Sequence, residues 1–205
     1  MTGSALVLGG GGVTGIAWEI GLLAGLLELG VDLTTADLIV GTSAGSVVGA
    51  LVATGGDLEE FYRRQLEPSG SELAPFDADS GVPLVDAVAA SCAVPGVWPP
   101  MTVNGRQYID GGVRSTANVD LASGCDRIVV LAPIPRGGGP MPGVSSQVAR
   151  LGDSARVAVV TPNQAARAAF GRNVLDPARR APSARAGRAQ AADAAIAVHS
   201  VWSEI

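Results

Sequence analysis

Short apolar runs separated by clusters of glycine set the rhythm of this chain. Residues 4–9 form an apolar run that ends in Gly9-Gly10-Gly11-Gly12, and Leu38-Ile39-Val40 form a second that ends in Gly41-Thr42-Ser43-Ala44-Gly45. Runs this short, bounded by turn residues, predict buried strands. Between them Ile16, Ile20, Leu23 and Leu27 recur at helical spacing, Leu22 and Leu26 widen the same face, and Gly30 supplies a stop. Strand, glycine loop, helix and strand in sequence make a βαβ unit, so the sheet is expected to begin parallel. Val47-Val48-Gly49-Ala50-Leu51-Val52-Ala53 continues as a helix of small residues, which places Ser43 at a strand-to-helix turn.

Further along, Asp57 followed by Glu60 at capping-box spacing starts a helix with Phe61, Tyr62 and Leu66 on its apolar side. Residues 68–75 read as loop, and Pro83 opens a short helix through Ser91. Asn104-Gly105 predicts a type I′ hairpin that delivers Asp110-Gly111-Gly112. Strands are expected at 127–131 and 156–160, a Pro/Gly-rich connection at 133–143, and helices at about 163–170 and 183–202. The pattern predicts one α/β domain over 1–205, three-layer α/β/α with a mainly parallel central sheet and a C-terminal helical segment over about 163–205.

Hydrophobic residues make up 47% of the chain but aromatic ones only 4%, so the core must be built from Ala, Val and Leu. No basic segment precedes an apolar leader and no apolar run is long enough to span a bilayer, which gives the expectation of a soluble, cytoplasmic protein. Cys92 and Cys125 have neither metal-ligand spacing nor disulfide density and read as small buried hydrophobes. Residues 1–149 carry 6 Arg and 15 acids, whereas 150–205 carry 8 Arg and 4 acids. The basic tail reads as a solvated helix face rather than a surface for anionic lipid or nucleic acid. There is no lysine at all, which excludes a Ser-Lys dyad, a Schiff base and a P-loop lysine.

Gly41-Thr42-Ser43-Ala44-Gly45 fits the nucleophile elbow G-x-S-x-G, whose glycines are needed where the backbone folds back sharply. A serine hydroxyl needs a base, and the single histidine, His199, lies on the terminal helix without an acidic neighbour to orient it. It reads as a helix-face residue, which leaves a carboxylate. Asp110 is the candidate on its tight turn, although an Asx-type turn residue has the same signature. A free carboxylate is a weak base, so a dyad needs it partly withdrawn from water and hydrogen-bonded to Ser43. The N–H groups of Gly10, Gly11 and Gly12, at a helix start, can hold an oxyanion, with the Ala44 N–H as a further donor.

Gly10-Gly11-Gly12-Val13-Thr14-Gly15 also satisfies the dinucleotide fingerprint G-x-G-x-x-G. That rival needs an acid at the carboxyl end of the next strand, where this chain has Gly41-Thr42-Ser43 instead. Val97, Trp98 and Met101, in an apolar loop with Pro99 and Pro100, can line an acyl-chain approach or simply pack.

Gly10-Gly11-Gly12 with Gly15, then Gly41-Thr42-Ser43-Ala44-Gly45, then Asp110-Gly111-Gly112, in that order, resembles the patatin-like phospholipase family. The likeness takes in the Pro95-Gly96 loop and covers most of 4–132; nothing beyond Gly152 contributes to it. The resemblance implies a lipid acyl hydrolase with Ser43 as nucleophile, Asp110 as general base and Gly10 to Gly12 as oxyanion loop. It implies no metal or cofactor, a lipid or ester substrate, and transient contact with a membrane surface. A non-catalytic lipid- or protein-binding module on the same fold is the contrasting reading. Two departures stand out: Thr14 replaces the basic residue many members carry there, and the stretch 67–81 is short, so lid-like material is expected to be missing from it.

Overall fold

The computed structural model describes residues 3–67, 83–139 and 141–203; the short stretch expected at 67–81 lies almost wholly outside them. Four parallel strands form the central sheet in the order β2-β1-β5-β6: β1 (Ser4–Leu8), β2 (Leu38–Gly41), β5 (Arg127–Leu131) and β6 (Arg156–Val160). Successive side chains of a strand face opposite ways, and here both faces are buried. Leu6 and Leu8 pack under one layer of helices, α1 (Gly12–Glu28), α2 (Ala44–Ala53), α3 (Leu58–Leu66), α6 (Gln164–Phe170) and α7 (Arg180–Trp202). Ala5 and Val7 pack under the other, made by residues 117–122 and α5 (Val144–Leu151). This is the expected three-layer α/β/α architecture. The remaining elements, α4 (Leu84–Ser91) and the hairpin of β3 (Met101–Val103) and β4 (Arg106–Tyr108), lie at the edge.

Local signals explain most boundaries. Gly30 has φ of 80° just past α1, and Asn104 and Gly105 have φ of 48° and 73° in the hairpin turn. Asp57 caps α3 by accepting the Glu59 N–H; Glu60 does not complete a capping box but pairs with Arg64 at 2.9 Å. Helix α7 begins at Arg180, three residues ahead of the sequence expectation, and α5 was not expected.

The most extensive packing between two elements is that of α1 on α7, and it depends on glycine. A Cβ at Gly21 would lie 2.1 Å from the Ala184 carbonyl oxygen, and one at Gly187 2.2 Å from that of Trp18. The buried Trp18 indole N–H donates to Gln190 Oε1 at 3.1 Å, and Gln190 Nε2 donates to the Thr161 carbonyl at 2.7 Å. These bonds tie α1, α7 and the end of β6 together. At the exposed margin Arg188 reaches Glu28 and Glu59 and lies 4.4 Å over the Tyr62 ring.

Glu19 breaks the apolar pattern of α1. It is wholly buried, and neither carboxyl oxygen finds a hydrogen-bond partner among the described residues. Burial pushes its carboxyl well above the ordinary carboxylate range, and the nearby Gly9 N–H, already given to Leu131 O, offsets only part of this. Below about pH 4.5 the group is neutral in both folded and unfolded chains; above that only the unfolded chain releases the proton, so stability falls as pH rises. Glu19→Gln removes this loss. Its stability gain over wild type, read by urea unfolding, should grow from about pH 5 toward pH 8, by at most about 1.4 kcal/mol per pH unit. Parallel stability curves for the two proteins would refute a protonated Glu19.

Candidate active site

Strands β1 and β5 are neighbours, yet the chain leaves β1 for a helix on one face and leaves β5 for α5 on the other. Such a switch point opens a crevice at the carboxyl ends of the strands. A cavity of about 590 Å³ lies there, and Gly10, Gly11, Gly12, Ser43, Ala44 and Asp110 all border it.

The glycine loop follows β1. Gly9 donates its N–H to Leu131 O at 2.9 Å and Gly10 to Thr116 O at 2.8 Å. The Gly10 N–H is therefore spent, which corrects its assignment as an oxyanion donor. The N–H groups of Gly11 and Gly12 find no acceptor among the described residues. Close approach explains the glycines: a Cβ on Gly11 would stand 2.6 Å from Pro133 Cβ, and Gly12, at φ of 59°, backs onto the Val174 carbonyl. Gly15 packs on Pro133 as well.

Ser43 sits at φ of 49° and ψ of −114° between β2 and α2, a backbone conformation costing on the order of 1–3 kcal/mol. Gly41 and Gly45 permit it, since a Cβ on Gly45 would lie 2.1 Å from Leu8 O and one on Gly41 2.5 Å from Ser46 Cα. The Ala44 N–H, at the first turn of α2, has no acceptor among the described residues.

Asp110 follows the hairpin and is buried, 7% exposed. Its Oδ1 accepts the Gly112 N–H at 2.7 Å, which is the Asx-type turn, while Oδ2 is buried without a partner among the described residues. Gly112 has to be small, because a Cβ there would lie 2.7 Å from that same Oδ1. A Cβ on Gly111 would stand 3.3 Å from Ser91 Oγ and 3.5 Å from Thr42 Cγ2, so the aspartate loop lies directly against the elbow.

Two side chains the sequence did not single out hold these loops in place. Buried Asn118, at φ of 52°, donates from Nδ2 to Thr42 Oγ1 at 2.9 Å, to Ser115 O at 3.2 Å and to Gly111 O at 3.4 Å. Its Oδ1 accepts from Arg114, which is fixed in turn by Asp120. Ser91, at the end of α4, accepts the Ser43 N–H at 3.0 Å, and Ala93 O accepts the Asp110 N–H at 2.9 Å. Asn118 has no signal in sequence except its place eight residues after Asp110.

Of the apolar loop, Trp98 borders the cavity. Val97 and Met101 do not, which corrects their placement on the acyl-chain wall: Val97 is exposed on a turn and Met101 pairs with Tyr108 in the hairpin. Ile134, Arg136, Met141, Val174 and Leu175 also border the cavity, from segments that read only as connections. Cys92 also borders the cavity, with Ser46 Oγ 3.7 Å from its Sγ. Burial, and then the Asp110 charge, push its thiol up from the ordinary value, so it stays protonated at neutral pH and is a poor nucleophile. His199 lies exposed on α7 beside Ser203, away from the cavity.

The family model for patatin-like phospholipases matches residues 6–68 and 63–123, more than half of the chain. Over 65 residues, 32% of the chain, it is 48% identical to Lysophospholipase NTE1 of Coccidioides immitis and 45% identical to the proteins of that name from Phaeosphaeria nodorum and Aspergillus oryzae. The matched region is 4% of each of those proteins, so the chain corresponds to a small part of their length. With the glycine loop, the serine elbow and the aspartate loop all inside the matched stretches, the chain belongs to the patatin-like phospholipase family.

Proposed function

We propose that this chain is a lipid acyl hydrolase, of phospholipase A or carboxylesterase type, working through a Ser43–Asp110 dyad and an acyl-enzyme. The observation that carries this reading is the buried Asp110 Oδ2, which has no partner among the described residues, on a residue that borders the same cavity as the strained Ser43. Ser43 Oγ attacks the ester carbonyl carbon while its proton passes to Asp110. The oxyanion that forms is held by the N–H groups of Gly11, Gly12 and Ala44, of which each is worth roughly 3 kcal/mol in such a site. Collapse breaks the bond to the alcohol, which leaves with the proton from Asp110, and Ser43 is acylated. Water then attacks, giving its proton to Asp110, and the second collapse releases the fatty acid and restores the serine.

The three N–H groups sit at the starts of α1 and α2, where the helix dipoles add to their effect. Around the mouth, Trp98 is 63% exposed and Val113, Ile134 and Leu175 are also exposed. A rim of this kind supports brief contact with a lipid surface, with the acyl chain entering between those side chains.

The test combines fluorophosphonate labelling with turnover of a p-nitrophenyl ester. Ser43→Ala abolishes both labelling and turnover, and Asp110→Asn abolishes turnover. His199→Ala leaves turnover within a few-fold of wild type; its loss there would overturn the dyad. A folded wild-type chain that turns over no lipid ester would be the non-catalytic binding module instead. Asn118→Ala removes the bonds from Asn118 to Thr42 and Gly111 and should lower kcat more than it raises KM. The fall is up to about 100-fold, the scale of an ångström-sized misplacement. Equal kcat for Asn118→Ala and wild type would show that the bonds do not position the pair.

A further inference from the structure

Asp110 and Arg136 are the two charged side chains bordering the cavity among the described residues. Asp110 has a role in the proposed chemistry; Arg136 has none. It stands on the loop that follows β5, at the switch point, and that loop is closely folded. The Val144 N–H closes it on Pro135 O at 2.9 Å, and Gly137 has no space for a side chain, since a Cβ there would fall 2.0 Å from Met141 O. Arg136 is held between these two points, with Ile134 and Met141 beside it on the cavity wall.

Several other arginines are committed to partners: Arg114 to Asp120, Arg188 to Glu28 and Glu59, and Arg167 and Arg180 to backbone carbonyls. Arg136 is exposed and meets no acceptor among the described residues. Beside walls of carbon its guanidinium has nothing to bind within the protein, yet its planar fork of donors matches the oxygens of a phosphate. An anionic group entering a space that already holds the Asp110 carboxylate requires a cation, and Arg136 is the one the lining provides.

We infer that Arg136 is a specificity residue that receives the phosphate of a phosphate-bearing acyl ester, so that the site prefers phosphoglyceride esters to neutral glycerides. The inference rests on the Ser43–Asp110 reading. With the acyl chain along Trp98, Val174 and Leu175, the carbonyl meets Gly11, Gly12 and Ala44 and the head group lies toward the β5 loop.

The experiment compares kcat/KM for a lysophosphatidylcholine and a monoacylglycerol of the same chain, in the same detergent micelles. The wild type favours the phosphate-bearing substrate. Arg136→Gln lowers the ratio of the two values about tenfold, equivalent to about 1.4 kcal/mol. Arg136→Lys lies between, because an ammonium keeps the charge without the fork. An unchanged ratio in Arg136→Gln, or equal losses on both substrates, overturns the inference while leaving the dyad in place. Ser43→Ala is run alongside: turnover surviving there brings down the dyad reading itself.

Discussion

Helix α2 begins in direct contact with the backbone of β1, and the geometry of the site depends on that approach. Gly45 N–H donates to Gly9 O at 3.0 Å, with no room for a Cβ between the two chains. The approach brings the first N–H groups of α2 beside those of the glycine loop, and it forces the residue before it into a left-handed turn. The strain at Ser43, on the order of 1–3 kcal/mol, has to be offset nearby. Thr42 N–H to Leu8 O at 2.9 Å, Ser43 N–H to Ser91 Oγ at 3.0 Å and Ser46 Oγ to Ser43 O at 2.6 Å join the Gly45 bond around it. At a net of about 1 kcal/mol each, four such bonds outweigh the strain.

The same device, glycine where backbones touch, extends the site into the part of the chain that the family model does not match. Gly21 and Gly187 let α7 lie on α1, and the segment leading into α7 passes against the glycine loop, where Thr14 N–H donates to Val174 O at 3.1 Å. Val174 and Leu175 form one wall and the loop after β5 another, whereas the matched residues end at 123. Part of the cavity wall thus comes from outside the matched stretch, while Ile16, Val94, Pro95, Trp98 and Val113 line it from the same stretch as Ser43 and Asp110.

What could be read in advance follows from this division. The strands, the elbow, the hairpin and Asp110 announce themselves through glycine spacing and short apolar runs, because their constraints are local. Gly10 looked equivalent to Gly11 and Gly12, but its N–H is claimed by Thr116 O, over a hundred residues away. Val97 and Met101 looked continuous with Trp98, but a turn and a strand carry them out of the cavity. Helix α5 has only Val144, Val148 and Leu151 as its apolar side, set among Ser, Gln and Arg, too sparse a pattern to separate from the Pro/Gly-rich connection before it. Asn118 carries no local signature, since the groups it bonds are brought near it by the fold, and Arg136 reads only as part of a Pro/Gly-rich connection.

The end of α4 ties the Ser43 and Asp110 segments to one another. Ser91 Oγ takes the Ser43 N–H and Ala93 O takes the Asp110 N–H, so two bonds from neighbouring residues span both halves of the pair. Asn118 ties the same halves from the other side through Thr42 and Gly111. The Gly112 N–H holds Oδ1 of Asp110, and Oδ2 is left buried without a partner among the described residues. A base that is already oriented needs little reorganisation when charge develops, and preorganisation is the largest single source of catalysis in sites of this type. On the proposed Ser43–Asp110 reading, in a chain with no lysine and one remote histidine, orientation supplied by the protein stands in place of intrinsic basicity.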